Sequence, residues 1–311
     1  MLIFQGIFPR HAPPRDRVIT IGNFDGVHLG HQALIEQAVG LARERGLCST
    51  VVTFEPHPKA FFAPEQAPKK IQGLRAKALA LADHGVDELR ILKFRQALAQ
   101  MPAEAFMQTV LHQSLRAQAI VVGDDFCFGA KRRGTIAMLR DAAADYGWSV
   151  HPVATILNQG ARASSSALRD VLARGDLAAA ASLMGRPYDL AGHVIHGRKL
   201  GRSIGFPTLN VAVPANLLLS GVFVVSVEGL AETPLPAVAS LGHRPTTEHG
   251  GRLLLEVHVF DWSGNAYGKC VRVIFHEKLR GEEKFQDVAA MTDQIQRDAA
   301  MARHYFSHHV H

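Results

Sequence analysis

Two histidines three residues apart, His28 and His31, flank Gly30 directly after a short apolar run and before a helical pattern. Imidazoles in that place can donate hydrogen bonds to phosphoryl oxygens as charge develops in a transition state. A helix start adds free N–H groups and partial positive charge, and glycines at 22, 26 and 30 let the backbone come close to a phosphate. Phosphoryl chemistry of this kind needs positioning and charge stabilisation more than covalent help. The plainer reading is two surface histidines among 17. A zinc site fits less well, because no cysteine lies near in sequence and no acidic ligand follows on the helix.

Four other places carry candidate chemistry. Ser164, Ser165 and Ser166 precede Ala167-Leu168-Arg169. The serines cap a helix on the plain reading, and a capped helix start is also an anion site. Arg169, one turn on, can grip a phosphate bidentately. Asp124 and Asp125, before Phe126, are either turn residues or a ligand-facing loop. The segment from Gly192 to Asn210 is rich in glycine with basic residues interleaved. It can wrap phosphates with backbone N–H groups, or it is a hairpin loop with solvated charges. It is not a P-loop, since G-x-x-x-x-G-K-[ST] is absent. Glu256 alternates with Leu255 and Val257, so its carboxylate faces away from them. It lies on a solvent face or serves as a general base.

These residues need a scaffold. Apolar runs at 17–21, 49–54, 88–94, 118–122 and 149–154 read as strands, and helical spacing at 32–45, 70–82, 102–115 and 135–146 fills the gaps. Such alternation predicts right-handed crossovers and a doubly wound parallel sheet, with ligands at the carboxyl ends of the strands. Residues 165–184 read as a further helix, stopped by Gly185-Arg186-Pro187, which sets a domain boundary at 186/187. Beyond it, strands at 188–195, 221–228, 237–241, 253–260 and 270–278 follow at short spacing with turn residues between them. This predicts an antiparallel barrel or sandwich, closed by a helix over 282–305. The expected division is 1–186 and 187–311.

Composition narrows the partners. The chain has 311 residues, enough for two domains. A net charge of +6 suits anionic substrates such as nucleotides. The Lys and Arg residues are scattered, so nucleic acid is not an expected partner. Three distant cysteines exclude a disulfide framework. No segment has the pattern of a signal peptide or the length of a membrane span. A cytoplasmic protein is expected, with its oligomeric state open.

The run Ile21 to His31 resembles the nucleotidylyltransferase signature of bacterial bifunctional riboflavin kinase/FMN adenylyltransferase, also called FAD synthetase. Thr53-Phe54-Glu55-Pro56-His57-Pro58, the loop from Val122 to Gly129, and Ser164 to Arg169 are similar to further motifs of that family, with Ser166 where a Thr is usual. In the second half, Gly205-Phe206-Pro207-Thr208-Leu209-Asn210 resembles the riboflavin kinase core, with Leu209 for Ala. Gly221-Val222-Phe223 has Phe for Tyr, and segments at 241–246, 255–261 and 279–285 extend the match. The resemblance implies phosphorylation of riboflavin to FMN by ATP, then adenylylation of FMN to FAD, both with Mg²⁺. It implies catalytic roles for His28, His31, Arg169 and Glu256. It places nucleotide or flavin binding at Gly22, Asn23, Phe24, Asp25, Gly26, Gly30, Asp124, Phe126, Ser164, Ser165 and Ser166. In the kinase half it adds Gly197, Gly201, Arg202, Pro207, Thr208, Asn210 and Arg280, with Thr208 and Asn210 on the metal. Two other readings stay open: an enzyme with one working half, or a flavin-sensing protein on the same scaffold.

Overall fold

The computed structural model describes residues 1–158, 161–197, 205–243 and 253–309. They form two compact units, Met1–Pro68 with Lys77–Ser164, and Lys69–Ala76 with Ser165–His311.

In the first unit, strands β2 (Arg17–Ile21), β3 (Cys48–Glu55), β4 (Glu88–Lys93), β5 (Ala117–Gly123) and β6 (Ser149–Val153) are parallel, as the sequence predicts. A sixth strand, β1 (Leu2–Gln5), adds to the edge beside β4. Its four residues carry no legible period. The order is β1-β4-β3-β2-β5-β6. The direction of winding therefore reverses beside β2, and the cleft beyond β2 and β5 is the switch point where such sheets take ligands.

Helix α1 spans Leu29–Arg45, three residues earlier than the apolar spacing suggests, because His28 is its N-cap. It ends at Gly46, whose left-handed φ of 64° and N–H bonds to Ala42 and Arg43 carbonyls stop it as expected. Helix α2 is Leu74–Asp83, and the expected helix over 102–115 is a short α turn followed by a π-helical stretch, Phe106–Ser114. A small hairpin, β7 (Leu157–Asn158) with β8 (Ala161–Arg162), follows β6. Within the sheet, Glu88 at the start of β4 is buried and bonded by two buried arginines, Arg17 at 3.0 Å and Arg90 at 2.6 Å. A buried carboxylate tolerates desolvation only with such pairing.

The second unit is a closed antiparallel barrel. Its strands are β9 (Asp189–Ile195), β10 (Leu209–Val211), β11 (Gly221–Glu228), β12 (Leu235–His243), β13 (Leu253–Val259) and β14 (Cys270–Arg280), in the order β10-β13-β12-β11-β14-β9. The sequence shows five of these. β10 lies inside the glycine-rich segment and is too short to be read. Phe223, Leu255, Val257 and Phe275 fill the interior. The stretch 165–184 is two helices, α3 (Ser165–Ala173) and α4 (Leu177–Met184), broken at Gly175 with Asp176 capping the second. Leu168, Leu172 and Met184 pack in the barrel unit's core, so both helices lie in the second unit. The last helix, α5 (Val288–His308), starts later than its sequence pattern because Asp287 caps it, accepting from the Ala290 N–H at 2.8 Å. Ala299 and Ala302 seat it on Val222, Val224 and Val238.

Candidate active sites

Between the end of β2 and the start of α1 the chain makes a strained turn. Phe24 (φ 47°) and Val27 (φ 43°) both adopt left-handed backbone, with Gly26 between them at 87°. A β-branched residue there is a true outlier, and such strain concentrates at functional sites. Both side chains are fully buried, which holds the turn in place. The turn delivers His28 to the N-cap of α1, buried to 6% exposure, and His31 one turn later. The two rings stack, with centroids 3.7 Å apart, and Phe24 lies 5.0 Å from His31. Gly30 is required by close approach: a Cβ there would stand 3.0 Å from the Ala163 carbonyl oxygen and 3.2 Å from His28 Cε1.

A cavity of about 330 Å³ opens on this turn, lined among others by Gly22, Asn23, His28, Gly30, His31, Asp124 and Phe126. The two motifs after β2 and β5 thus meet at the switch point. Phe54 from the end of β3 joins the wall. Asp124 accepts from both the N–H and the hydroxyl of Thr155, each at 3.2 Å. Asp125 pairs with Arg162 of β8 at 2.7 Å. The hydrogen bond from that guanidinium holds the Asp125 carboxyl below its ordinary range and raises Arg162 in turn. Arg162 lines the cavity, and no sequence motif marks it. Asp25 is buried within the turn, and Ser164 closes the first unit. Ser165 and Ser166 open α3 in the second unit. Arg169 lies one turn along α3 and bonds the Lys69 carbonyl at 2.9 Å and the Ser165 carbonyl at 3.2 Å.

In the barrel, β10 lies between β9 and β13, and Asn210 is the register partner of Glu256. Directly opposed residues of an antiparallel pair project on the same face with Cβ atoms about 5 Å apart. Leu255 and Val257 are fully buried while Glu256 and His258 are half-buried, so the alternation read from the sequence holds. Asn210 is 7% exposed, and its Oδ1 finds no hydrogen-bond partner among the described residues. Gly197 lies against it: a Cβ at 197 would stand 2.3 Å from Asn210 Nδ2. Pro207 and Thr208 line a cavity of about 660 Å³ with Leu209, Val194, Val259 and the loop Trp262–Tyr267. His258, beside Glu256 on the same face, donates from Nδ1 to the Pro207 carbonyl at 2.9 Å and so pins the start of β10. Tyr267 stacks on His196 at 4.0 Å. Neither contact could be read from the sequence, because the partners lie about 50 and 70 residues apart along the chain.

Two of the three departures from the family pattern, Phe223 and Leu209, lie in the barrel unit as packed apolar side chains. Phe223 is buried against Phe275 at 5.2 Å, and Leu209 adds apolar wall to the cavity. Arg280 ends β14 with its guanidinium on Asp298 of α5, at 2.8 Å, and on the Gly281 carbonyl. Gly201 and Arg202 lie outside the described residues, as does the segment Arg244-Pro245-Thr246.

The chain thus combines an α/β unit with a histidine-bearing helix start and a closed barrel in which Asn210 pairs with Glu256, the two-part architecture of a candidate phosphate-transfer protein. Residues 10–167 match the family model for FAD synthetase, and residues 184–306 match that for riboflavin kinase. The chain is 42% identical over 308 residues to the bifunctional riboflavin kinase/FMN adenylyltransferase of Escherichia coli (strain K12), covering 98% of each. It is 40% identical over 304 residues to the protein of that name from Pseudomonas fluorescens, covering 97% of each. A crystal structure described as a macrolide-efflux protein from Streptococcus pneumoniae superposes with a TM-score of 0.77 at 29% identity, covering 97% of this chain and 99% of that one. This chain belongs to the bifunctional riboflavin kinase/FMN adenylyltransferase family.

Proposed function

We infer that the chain makes FAD from riboflavin in two ATP-consuming steps. The observation that carries this is the match of both family models along one chain, each covering a unit's own candidate site. Kinase activity is assigned to residues 187–311 and adenylyl transfer to residues 1–186.

In the first step Glu256 takes the proton from the riboflavin 5′-hydroxyl as that oxygen attacks the γ-phosphorus of ATP. FMN forms and ADP leaves. The cavity beside Pro207 and Thr208 would take the nucleotide, with Gly197, Gly201 and Arg202 on its phosphates and Arg280 at the flavin side. The buried Oδ1 of Asn210, without a hydrogen-bond partner among the described residues, and the hydroxyl of Thr208 are hard oxygen donors that suit Mg²⁺. The metal would neutralise phosphate charge there.

In the second step an FMN phosphate oxygen attacks the α-phosphorus of ATP. FAD forms and pyrophosphate leaves. His28 and His31 donate to the phosphoryl oxygens as charge accumulates. Gly22 to Gly26 and Gly30 bring backbone to the nucleotide, and Asp124 and Phe126 face the flavin. Ser164, Ser165, Ser166 and Arg169 are the remaining nucleotide residues by family resemblance. The free thiols Cys48, Cys127 and Cys270 suit a reducing cytoplasm.

Two variants test the assignment together. His28→Ala should cut FAD formation from supplied FMN by about 10²-fold, the size of losing one preorganised donor, with FMN formation intact. Glu256→Gln should abolish FMN formation and leave that FAD synthesis in place. Loss of both activities in a variant that remains folded would refute separate sites.

A further inference from the structure

The strained turn that delivers His28 is gripped at both ends by buried polar side chains with no assigned role. At its start, the Asn23 carbonyl oxygen accepts from Lys77 Nζ at 2.6 Å and from Thr53 Oγ1 at 3.1 Å. Lys77 also reaches Thr53 Oγ1 at 3.4 Å. At its end, the Val27 carbonyl accepts from Gln32 Nε2 at 2.8 Å. Lys77 is 6% exposed, Gln32 8%, and Thr53 fully buried. The residues lining the cavity include none of the three.

An ammonium group at that burial costs stability unless it is well bonded. An apolar residue at that position on α2 would avoid the cost. What the lysine gains is a fixed carbonyl at the point where β2 ends and the left-handed backbone begins. Left-handed Phe24 and Val27 persist only where the surroundings over-determine them. With the peptide before Phe24 and the peptide after Val27 both held, the turn has one conformation, and His28 has one direction.

We propose that Lys77, with Gln32 as its counterpart, is a positioning residue for adenylyl transfer that acts through His28. The proposal rests on the reading of His28 given above. Released from Lys77, the turn relaxes toward ordinary backbone angles and the His28 ring leaves the line of the phosphate. The loss should therefore fall on kcat, while FMN and ATP still bind.

The test is a double-mutant cycle in the full-length protein, with FAD formation from FMN and ATP as the readout. Lys77→Met, close in length but without the charge, should lower kcat by about 10- to 10²-fold, as sub-ångström to ångström misplacement does, with KM for FMN little changed. Lys77→Arg should restore part of it. Placed in a His28→Ala background, Lys77→Met should cause no further loss, because the group it positions is gone. A further loss as large as in the wild-type background would overturn the proposal, as would a rise in KM with kcat unchanged. The thermal melting curve of the same preparations monitors folding. Should Lys77→Met fail to fold, the near-isosteric Thr53→Val removes one donor to the same carbonyl and should show the same fall in kcat with the same non-additivity. If His28→Ala alone leaves FAD formation unchanged, the site reading fails, and that outcome is distinct from additivity in the cycle.

Discussion

Gly197 is where a single methyl group should separate the two activities. A Cβ at this position would lie 2.3 Å from Asn210 Nδ2 and 2.6 Å from Asn210 Cγ and Oδ1. Ordinary contact between such atoms is about 3.5 Å, so the carboxamide must retreat by roughly 1 Å. It has little room. Asn210 is 7% exposed and its strand is paired on both sides, to β9 and β13. The displacement must either turn the carboxamide or shift β10 against Glu256. A misplacement of about 1 Å in a catalytic constellation costs on the order of 10²-fold in rate. Gly197→Ala should therefore lower FMN formation from riboflavin and ATP by that factor. FAD formation from supplied FMN should not change, because the methyl presses on Asn210 and on none of the residues assigned to adenylyl transfer. Both rates are read by separating flavins after timed incubation. Wild-type kinase turnover in a folded Gly197→Ala protein would refute the placement of Asn210 in the kinase site.

Two further outcomes follow from the geometry. Gly30→Ala should slow FAD formation by about 10-fold or more, since its Cβ would press on the Ala163 carbonyl and the His28 ring at 3.0 and 3.2 Å; unchanged kinetics would contradict the close packing of that turn. His276, bonded to Ser226 at 2.9 Å beneath Tyr305 and Phe306, is held below the ordinary histidine pKa by burial. The unfolded chain then takes up its proton first as pH falls, so this contribution is complete above the ordinary histidine range and is lost as pH drops through it toward the folded value. His276→Gln, which can still bond Ser226, should flatten the acid side of the thermal stability profile; an unaltered slope would show that His276 is not its source.

Local pattern carried most of the fold, while most candidate site residues came from the resemblance of whole motifs rather than from any period. The five long strands of the sheet announce themselves as apolar runs, and Gly46 stops α1 as its type demands. What stayed hidden is non-local or too short for a period. β1 and β10 have four and three residues, below the length at which alternation can be seen. The Asn210–Glu256 pairing depends on β10 existing at all. Lys77 is the fourth residue of α2, with nothing in the local pattern to mark it, and only the fold shows that its ammonium group reaches the Asn23 carbonyl. Apolar spacing places the start of α1 three residues late, because Leu29, Gly30 and His31 continue no apolar stripe and follow directly on the strained turn. Arg280 was legible as a residue of the family's closing segment, but its bond to Asp298 spans β14 and α5 and was not.

The most direct test is a time course with the purified full-length chain, riboflavin, ATP and Mg²⁺. FMN should rise first and then fall as FAD accumulates, with ADP released in the first phase and pyrophosphate in the second. FMN that accumulates without any FAD, or riboflavin left unchanged while supplied FMN is adenylylated, would contradict the presence of two working sites in one chain.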